Sequence, residues 1–478
     1  MNDFVVSLML LGALSSGGNM PFWATANQYG LMPESNGGLA LLQAGMPFDE
    51  SKTLQWHWGT SLGLRYDNGG AAVLPDELYA GLRWKQLRLD VGLWRPEQGY
   101  MAASRSLGTL STSGGNIMRT GNARNMPGYS ITLEPWNVPF TNGHLQLLGR
   151  FGDYMTTDPR YVPGALVHNT EGYIRGRIGK RLTVTLGLDH YTMWGGNSPE
   201  YGLQTVSFGN YLRVLTAQSG TGESPLGDQE NCLGDHRGRI LTRFDWKGDG
   251  WSLSYQSDKP YDDKSGMVWY NFPDAVRTLS FSFEDKSKWL TDVVYEFHTT
   301  MKQSGTCERR LATEEEIASN NPRLYRYDFE GSPWYYIEGG ADNYCNNYEY
   351  RSGWTHYGRQ IGTPLFYSRS SGKGTWNNLL TAHHVAFSGS LFRKYPWKLM
   401  LTWSSNYGCW FSEDAVYNDG SRFDKPLEQF SSGFMTEFPL LKGALKIVPA
   451  VYLDAGDALP RCFGASLSVK YDIIHIKK

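Results

Sequence analysis

The chain has 478 residues, of which 45 are Lys or Arg and 47 are Asp or Glu, so its formal net charge is −2. With no basic excess, it lacks the electrostatic surface on which nucleic-acid binding depends. A mean hydropathy of −0.44, without an apolar stretch near ~18 residues, excludes membrane-spanning helices. The 14% of aromatic residues and the 55 glycines instead predict a folded, turn-rich, all-β protein.

The chain is expected to form one structural unit. No Pro/Ser-rich linker, charge block or low-complexity tract divides residues 1–478, and all-β barrels of this length form single domains. The first apolar segment, Phe4–Leu14, resembles a signal-peptide core, but the first basic residue is Lys52. A signal peptide needs a basic start, so we expect Phe4–Leu14 to be the first strand of a mature chain whose leader is absent.

Apolar and polar residues alternate strictly in several segments, which is typical of β-strands with one apolar face. Between Leu54 and Leu64, the side chains of Trp56, Trp58 and Leu62 share a face with the two leucines. The opposite face carries Gln55, His57, Gly59, Ser61 and Gly63. The same alternation recurs at Leu87–Leu93, Leu182–Leu188, Trp251–Tyr255, Leu399–Trp403, Leu445–Leu453 and Phe463–Tyr471.

The polar faces of these strands favour a transmembrane barrel over the alternative, a soluble sandwich or propeller. They carry Gly, Ser, Gln, His and Thr, which suit a crowded aqueous lumen. The apolar faces begin or end on rings such as Trp56, Trp403 and Tyr471, as at membrane interfaces. Because a bilayer forbids open sheet edges, such strands must close. At ~26 residues per strand and connection, the chain predicts a closed antiparallel barrel of about 18 strands.

Two segments carry helical rather than strand patterns. In Val206–Ser219, apolar residues recur at helical spacing and Gly220 follows, which predicts an amphipathic helix in the lumen or across one mouth. In Ala312–Asn320, Thr313 precedes Glu316 by three residues, the spacing of a capping box. We expect this second helix to lie in a long exposed loop.

Catalytic and metal-binding signatures are absent from the sequence. It contains no His-Glu-x-x-His, Gly-x-Ser-x-Gly or Walker motif, and none of its five cysteines has Cys-x-x-Cys spacing for zinc. We therefore expect no enzymatic activity, no metal and no cofactor. Cys307 and Cys345 bracket the second predicted helix, and a disulfide between them is one option in an oxidising compartment.

Aromatic residues crowd one polar region, Tyr325–Tyr357. Its rings are interleaved with Asn, Asp, Glu, Arg and Gly, a composition that lets rings stack on sugars while polar groups bind hydroxyls. The candidate polysaccharide-binding residues are Trp334, Tyr336, Asp342, Tyr344, Asn347, Tyr350, Arg351 and Trp354. The alternative is a membrane aromatic girdle combined with loop packing, although Asp342–Arg351 lacks the strand alternation of a girdle.

Seven segments of the chain match the motifs of one known family. They are Pro21–Leu31, Thr120–Pro127, Tyr191–Gly196, Asn210–Leu215, Gly340–Tyr348, Ser352–Thr355 and Ile361–Pro364. Together they resemble the Wzi-like capsule-assembly outer-membrane proteins in their Bacteroidetes form. The resemblance implies a barrel of about 18 strands in the Gram-negative outer membrane, plugged by helices or loops, that binds surface or capsular polysaccharide without catalysis.

Two functions follow as hypotheses. The first is a lectin-like, monomeric barrel in outer-membrane lipid that supports capsule assembly or attachment. The second is a solute-selective porin, which would use Arg and Asp residues of the lumen. The family motif residues Asn27, Asn122, Arg124, Trp194 and Asn343 would either contact sugar or hold the plug and loops in place.

Overall fold

Eighteen antiparallel strands close into one barrel. The computed structural model describes residues 4–49, 51–95, 110–222, 224–230, 232–262, 264–303, 310–319, 324–329, 331–337, 342–369, 372, 374–409 and 425–476. The barrel strands are β1 (Phe4–Ser15), β2 (Gly37–Met46), β3 (Leu54–Asp67), β4 (Gly70–Trp84), β5 (Leu87–Leu93), β6 (Gly128–Asn137), β7 (Leu145–Met155), β8 (Leu166–Ile178), β9 (Leu182–Trp194), β10 (Asp235–Lys247), β11 (Trp251–Tyr261), β12 (Ala275–Phe283), β13 (Asp292–Thr299), β14 (Leu380–Leu391), β15 (Tyr395–Asn406), β16 (Leu427–Thr436, continued by Phe438–Leu440), β17 (Leu445–Gly456) and β18 (Cys462–Ile476).

Each barrel strand pairs with its neighbours in chain order. The sheet closes where β1 pairs with β18 along Phe4–Ser15. The predicted fold class, the strand number and the assignment of Phe4–Leu14 as the first strand are therefore confirmed.

Alternate residues of each strand face lipid or lumen, as the sequence pattern predicts. On β3, the side chains of Leu54, Trp56 and Leu64 are exposed, whereas those of Gln55 and Ser61 are buried. The exposed apolar set faces outward. Since bulk lipid requires an apolar surface and a closed lumen can hold polar groups, this split is the one expected of a transmembrane barrel.

Exposed rings occur at two levels on the outer wall. The level toward the end that holds the chain termini consists of Trp56, Trp84, Trp136 and Trp246. The level toward the other end consists of Tyr66, Tyr129, Trp403 and Phe463. Trp56 and Tyr66 are ten residues apart on β3. At ~3.3 Å per residue and a tilt of ~40°, the two levels are ~25 Å apart, the height of a barrel's apolar band.

The two ends of the barrel differ in the length of their connections. At the end with the termini, strands are joined by short turns such as 85–86, 179–181 and 392–394, whereas the other end carries loops 16–36 and 195–234, and longer ones. Short turns are periplasmic and long loops extracellular in such barrels. The long-loop end is therefore the extracellular mouth.

The helices are short and lie in the loops. They are α1 (Phe22–Thr25), α2 (Phe208–Leu215), α3 (Leu226–Glu230), α4 (Lys264–Met267), α5 (Glu314–Ala318) and a 3-10 turn at Leu441–Gly443. In α5, the Thr313 hydroxyl accepts from the Glu316 backbone and the Glu316 carboxylate accepts from the Thr313 backbone, so the predicted capping box is confirmed. In the described part of the chain, no helix has the length and apolarity to cross a membrane.

Short strand pairs complete the loops. They are Asn197–Ser198 with Gly202–Leu203, Thr355–His356 with Arg359–Gln360, Tyr367–Ser368 with Thr375–Asn377, and a three-stranded set of Arg310–Leu311, Leu324–Phe329 and Ser332–Ile337.

Two loop segments, 110–127 and 342–369, lie inside the barrel, and we call them together the lumen plug. They hold each other directly, because the Trp354 indole nitrogen donates to the Met118 carbonyl at 2.6 Å. Both residues are fully buried. The plug is thus made mostly of irregular loop rather than helix.

A buried guanidinium on the lumen wall anchors the lumen plug. Arg239 donates to Asp189 at 2.6 Å and to Asp258 at 3.1 Å. The same two carboxylates accept from the plug, from the Asn116 side chain and the Ile117 backbone, each at 2.9 Å. This pairing and hydrogen bonding reduce the cost of holding the charged groups away from bulk water.

The helix expected in the lumen or across a mouth instead lies on the outside of the barrel. The Tyr211 hydroxyl of α2 donates to Asp153 at 2.7 Å. Asp153 faces outward on β7, since its neighbour Tyr154 is buried toward the lumen. The helix is drawn outward because Tyr211 and Val214 pack on Trp194 of the outer wall. We call residues 203–215 the outer flap.

The disulfide expected between Cys307 and Cys345 stays a prediction, because Cys307 lies outside the described residues. Cys345 is buried in the lumen plug, where burial raises the pKa of its thiol to about 12.

Candidate functional site

Three segments that carried the family resemblance meet at the extracellular end of the lumen. The Tyr29 backbone donates to the Gly121 carbonyl at 2.6 Å, and the Thr120 backbone donates to the Ile361 carbonyl at 2.8 Å. The amide of Asn122 reaches across to the Gln360 carbonyl at 3.1 Å. Loop 16–36 and the two parts of the lumen plug therefore form one interlocked body.

Four of the five family motif residues, Asn27, Asn122, Arg124 and Asn343, act as such fasteners. Asn27 donates to the Thr112 carbonyl at 2.8 Å, and Arg124 donates to the Pro75 carbonyl of β4 at 2.9 Å. The Asn343 carboxamide oxygen accepts from Asn378 at 2.7 Å. Of the two roles considered from sequence, these contacts fit the structural one.

A cleft of about 380 Å³ opens between this body and the barrel rim, and we call it the extracellular cleft. Its walls are formed by loop 16–36, the 358–368 stretch of the plug, β17 and the β17–β18 turn. Its rings are Phe22, Phe366, Tyr367 and Trp376, and its polar side chains include Asn19, Glu34, Asn122, Arg359, Gln360 and Asp454.

The rings of the extracellular cleft form an apolar floor with one accessible member. Tyr367 and Trp376 lie with ring centroids 5.4 Å apart at 38°. Tyr367 and Phe366 are buried, whereas Trp376 is half-buried. Trp376 thus offers a ring surface to a ligand, and the other rings fix its position.

Arg359 supplies a fixed positive charge at the cleft. It donates to the Asn122 carbonyl and to the Thr25 carbonyl, each at 2.9 Å, and to the Glu34 carboxylate at 3.3 Å. Burial lowers the pKa of the guanidinium and Glu34 partly offsets this, but arginine keeps its charge in proteins. Three partners on two loops therefore hold one cation in place.

Two buried oxygen atoms of the cleft, Oε1 of Gln360 and Oδ1 of Asp454, have no partner at hydrogen-bond distance among the described residues. The Ser431 hydroxyl lies close enough to the Asp454 carboxylate to interact with it. The other ends of these groups are engaged: Gln360 donates to Thr375 at 2.7 Å, and the second Asp454 oxygen accepts from the Phe22 backbone at 2.8 Å. A buried acceptor without a donor costs ~1–3 kcal/mol, so a ligand hydroxyl at these atoms would be favourable.

Three of the candidate binding rings are part of the lumen plug. Tyr344, Tyr350 and Trp354 are buried. The Tyr344 hydroxyl donates to Asp274 at 3.1 Å, and the Tyr350 hydroxyl donates to the Gly195 carbonyl at 3.2 Å. Since no ring face is left open, the expected stacking on sugar does not fit these residues, and we reassign them to plug packing.

Three polar candidates are also engaged within the protein. Asp342 is buried, and the Asn347 side chain accepts from the backbones of Glu349 and Tyr350. Arg351 donates to Glu200 at 2.6 Å. These contacts order the plug and join it to loop 195–234.

The two remaining candidates, Trp334 and Tyr336, lie in the hairpin 324–337, which is not part of the lumen plug. Trp334 is 43% exposed and its backbone pairs with Tyr327. Tyr336 pairs with Tyr325, but its side chain is outside the described residues. The structure thus divides the eight predicted residues between a buried plug and a separate hairpin.

The ring and acceptors of the extracellular cleft were not among the sequence candidates. Trp376, Gln360 and Asp454 are distant in sequence and meet only through the plug. The sequence does carry one usable signal, because Pro21–Leu31 and Ile361–Pro364 flank the cleft and both resemble the family.

No protein-family model matches the chain, and no curated protein matches it in sequence. Among solved structures, it is similar to Wzi of Escherichia coli, described as an outer membrane protein involved in group 1 capsule assembly and a carbohydrate-binding β-barrel. The TM-score is 0.53 at 12% identity, over 98% of this chain and 84% of that chain.

Two outer-membrane proteins of Pseudomonas aeruginosa are also similar. OccD3 has a TM-score of 0.46 at 8% identity, over 98% of this chain and 92% of that chain. OprD has a TM-score of 0.46 at 10% identity, over 99% of this chain and 96% of that chain. The likeness to the Wzi structure shows the fold, and with the closed sheet it locates the protein in the Gram-negative outer membrane.

Proposed function

We propose that this barrel is a Wzi-like protein that binds surface or capsular polysaccharide at its extracellular mouth and supports its attachment to the cell. The observation that carries the proposal is the extracellular cleft, where the half-buried Trp376 lies beside two acceptor oxygens without donors. The description of Wzi as a carbohydrate-binding barrel supports the same ligand class.

The cleft matches the chemistry of a sugar. A pyranose ring has an apolar C–H face that stacks on an aromatic ring, and its hydroxyls donate to carboxylate and amide oxygens. Trp376 would take the C–H face, while Gln360 and Asp454 would accept from hydroxyls.

The lumen plug favours retention of polysaccharide at the mouth over transport of solutes through the barrel. Wall residues such as Tyr191 and Arg239 have no exposed surface because the plug packs on them. We expect a monomeric, non-enzymatic barrel in which polysaccharide stays at the mouth.

Cell-surface retention of polysaccharide tests this function. Trp376→Ala should release polysaccharide into the medium, because loss of a stacking ring weakens binding by about tenfold, or ~1.4 kcal/mol. Trp334→Ala is the matched control, since it removes an exposed tryptophan in the hairpin. Both variants should keep the heat-modifiable gel mobility of a folded barrel. Loss of retention in Trp334→Ala alone would move the site to the hairpin.

A second candidate function, a solute-selective porin, is favoured by a cavity at the periplasmic end. The cavity has a volume of about 480 Å³, and Arg175, Arg177 and Arg243 contribute to its wall. Asp245 and Glu284 also contribute to the wall, so this chamber of both charge signs would select charged solutes if the plug moved aside. Single-channel recording in a planar bilayer separates the two functions: a plugged binding barrel stays closed, whereas a porin conducts.

A further inference from the structure

We propose that the outer flap is a lipid-binding element, which inserts its apolar face into the outer leaflet beside the barrel at the boundary between headgroups and acyl chains. The inference is independent of polysaccharide binding. It follows from the height of the flap on the barrel, from what lies beneath it and from the surface that it presents outward.

The height of the outer flap is fixed by a shared carboxylate. Asp153 on β7 accepts from the Tyr211 hydroxyl of α2 at 2.7 Å and from the Tyr129 hydroxyl at 2.6 Å. Tyr129 belongs to the extracellular level of exposed rings on the outer wall. Since such rings lie at the membrane–water interface, α2 lies at the same depth.

The outer flap and its loop bury polar groups that would otherwise meet lipid. His168 faces outward on β8, yet it is fully buried, with the Tyr211 ring edge-on at 5.6 Å. On β9 and β10, His190 and His236 also face outward, and their rings bond to each other at 2.8 Å. Polar side chains are costly in hydrocarbon, so this part of the barrel wall needs a cover.

The outward surface of the flap is apolar. Leu203 is 81% exposed and Phe208 is 77% exposed, and Val206 and Leu212 are exposed as well. Phe208 and Leu212 lie four residues apart, on one side of α2. Exposed large apolar groups of this density are unfavourable in water.

The apolar face of the flap continues the lipid-facing belt of the barrel. Below the flap on β8 and β9, the outward side chains of Ile174, Leu186 and Leu188 are exposed. Leu188 and His190 are two residues apart, so the flap begins ~7 Å above the belt. A short amphipathic helix at this position lies in the plane of the interface with its apolar side in lipid. The partner is therefore the lipid of the outer leaflet itself.

Photo-crosslinking tests the proposal. p-Benzoyl-L-phenylalanine replaces Phe208, and the full-length protein is placed in dioleoylphosphatidylcholine vesicles that contain a radiolabelled trace of the same lipid. Phe244 on the lipid-facing side of β10 serves as the lipid reference. Phe140, fully exposed in the turn after β6, serves as the aqueous reference. A second probe at Leu203 covers the case in which position 208 tolerates the substitution poorly.

Lipid adducts at positions 208 and 203 should come within about twofold of those at 244 and exceed those at 140 by roughly fivefold. Adducts no higher than those at position 140, in protein with the gel mobility of a folded barrel, would overturn the proposal. Crosslinked dimers in place of lipid adducts would also overturn it, because the face would then bind a second copy of the chain.

Discussion

The lumen plug and the outer flap both cover polar strand faces, one inside the barrel and one outside it. Inside, Arg239 pairs with Asp189 and Asp258, and Asp258 also accepts from the Ile117 backbone of the plug. Outside, apolar packing, the Tyr211 bond to Asp153 and bonds between Gln204 and the plug residues Glu349 and Tyr350 hold the flap. The difference follows from the surroundings, because the buried charges of the lumen need opposite charges and hydrogen bonds, whereas polar groups on the outer wall need a cover whose own outer side is apolar.

The largest expected effect comes from removing the buried cation of the plug anchor. Arg239→Leu leaves Asp189 and Asp258 uncompensated, which should cost about 3–5 kcal/mol of unfolding free energy. Urea unfolding in detergent micelles measures it. Arg181→Leu is the control, since that arginine pairs with Asp249 at the surface and should cost less than ~1 kcal/mol. Equal losses of unfolding free energy in the two variants would show that the buried anchor stabilises the barrel no more than the surface pair does.

A smaller and local effect is expected from Tyr211→Phe in the outer flap. The variant loses the bond to Asp153, although this carboxylate keeps Tyr129 and His168 as partners. Amide exchange of 207–215 should speed up by a factor of roughly ten, for ~1.5 kcal/mol lost locally. The global unfolding free energy should stay within ~0.5 kcal/mol. A loss of global stability comparable to that of Arg239→Leu would mean that the flap is part of the cooperative core.

A third effect, also local, concerns pH at the junction between plug and rim. Burial raises the pKa of Glu349 from its ordinary 4.5 to about 8. The folded chain therefore holds a proton that the unfolded chain releases above pH 4.5, so the local stability falls as the pH rises from about 4.5 to about 8. Exchange protection of 346–351, corrected for intrinsic rates, should be higher at pH 6 than at pH 8.5. Glu349→Gln should lose this dependence, and an unchanged pH slope in that variant would exclude Glu349 as the cause.

The barrel could be predicted from sequence because its evidence is local. The strict alternation of apolar and polar residues in Leu54–Leu64 shows directly which side chains face lipid. The aromatic residues near the strand ends mark where the membrane interfaces lie. The position of α2 could not be read from its own pattern, since an amphipathic helix packs equally well inside or outside. The missing evidence was on other strands, where Asp153 and His168 occupy lipid-facing positions.

The site was only partly predictable for a related reason. The density of rings in Tyr325–Tyr357 does not distinguish rings that bind from rings that pack, and Tyr344 and Trp354 pack. Trp376 and Asp454 are 78 residues apart, and loop 16–36 has to fold inward before they share a cleft. Only the family-like segments hinted at that convergence.

The affinity of the purified protein for polysaccharide extracted from the surface of its own bacterium tests the central claim most directly. Titration should show about tenfold weaker binding for Trp376→Ala and for Asp454→Asn than for the unchanged protein, with Trp334→Ala unaffected. Equal affinity of the unchanged protein and both cleft variants, all folded, would contradict the account.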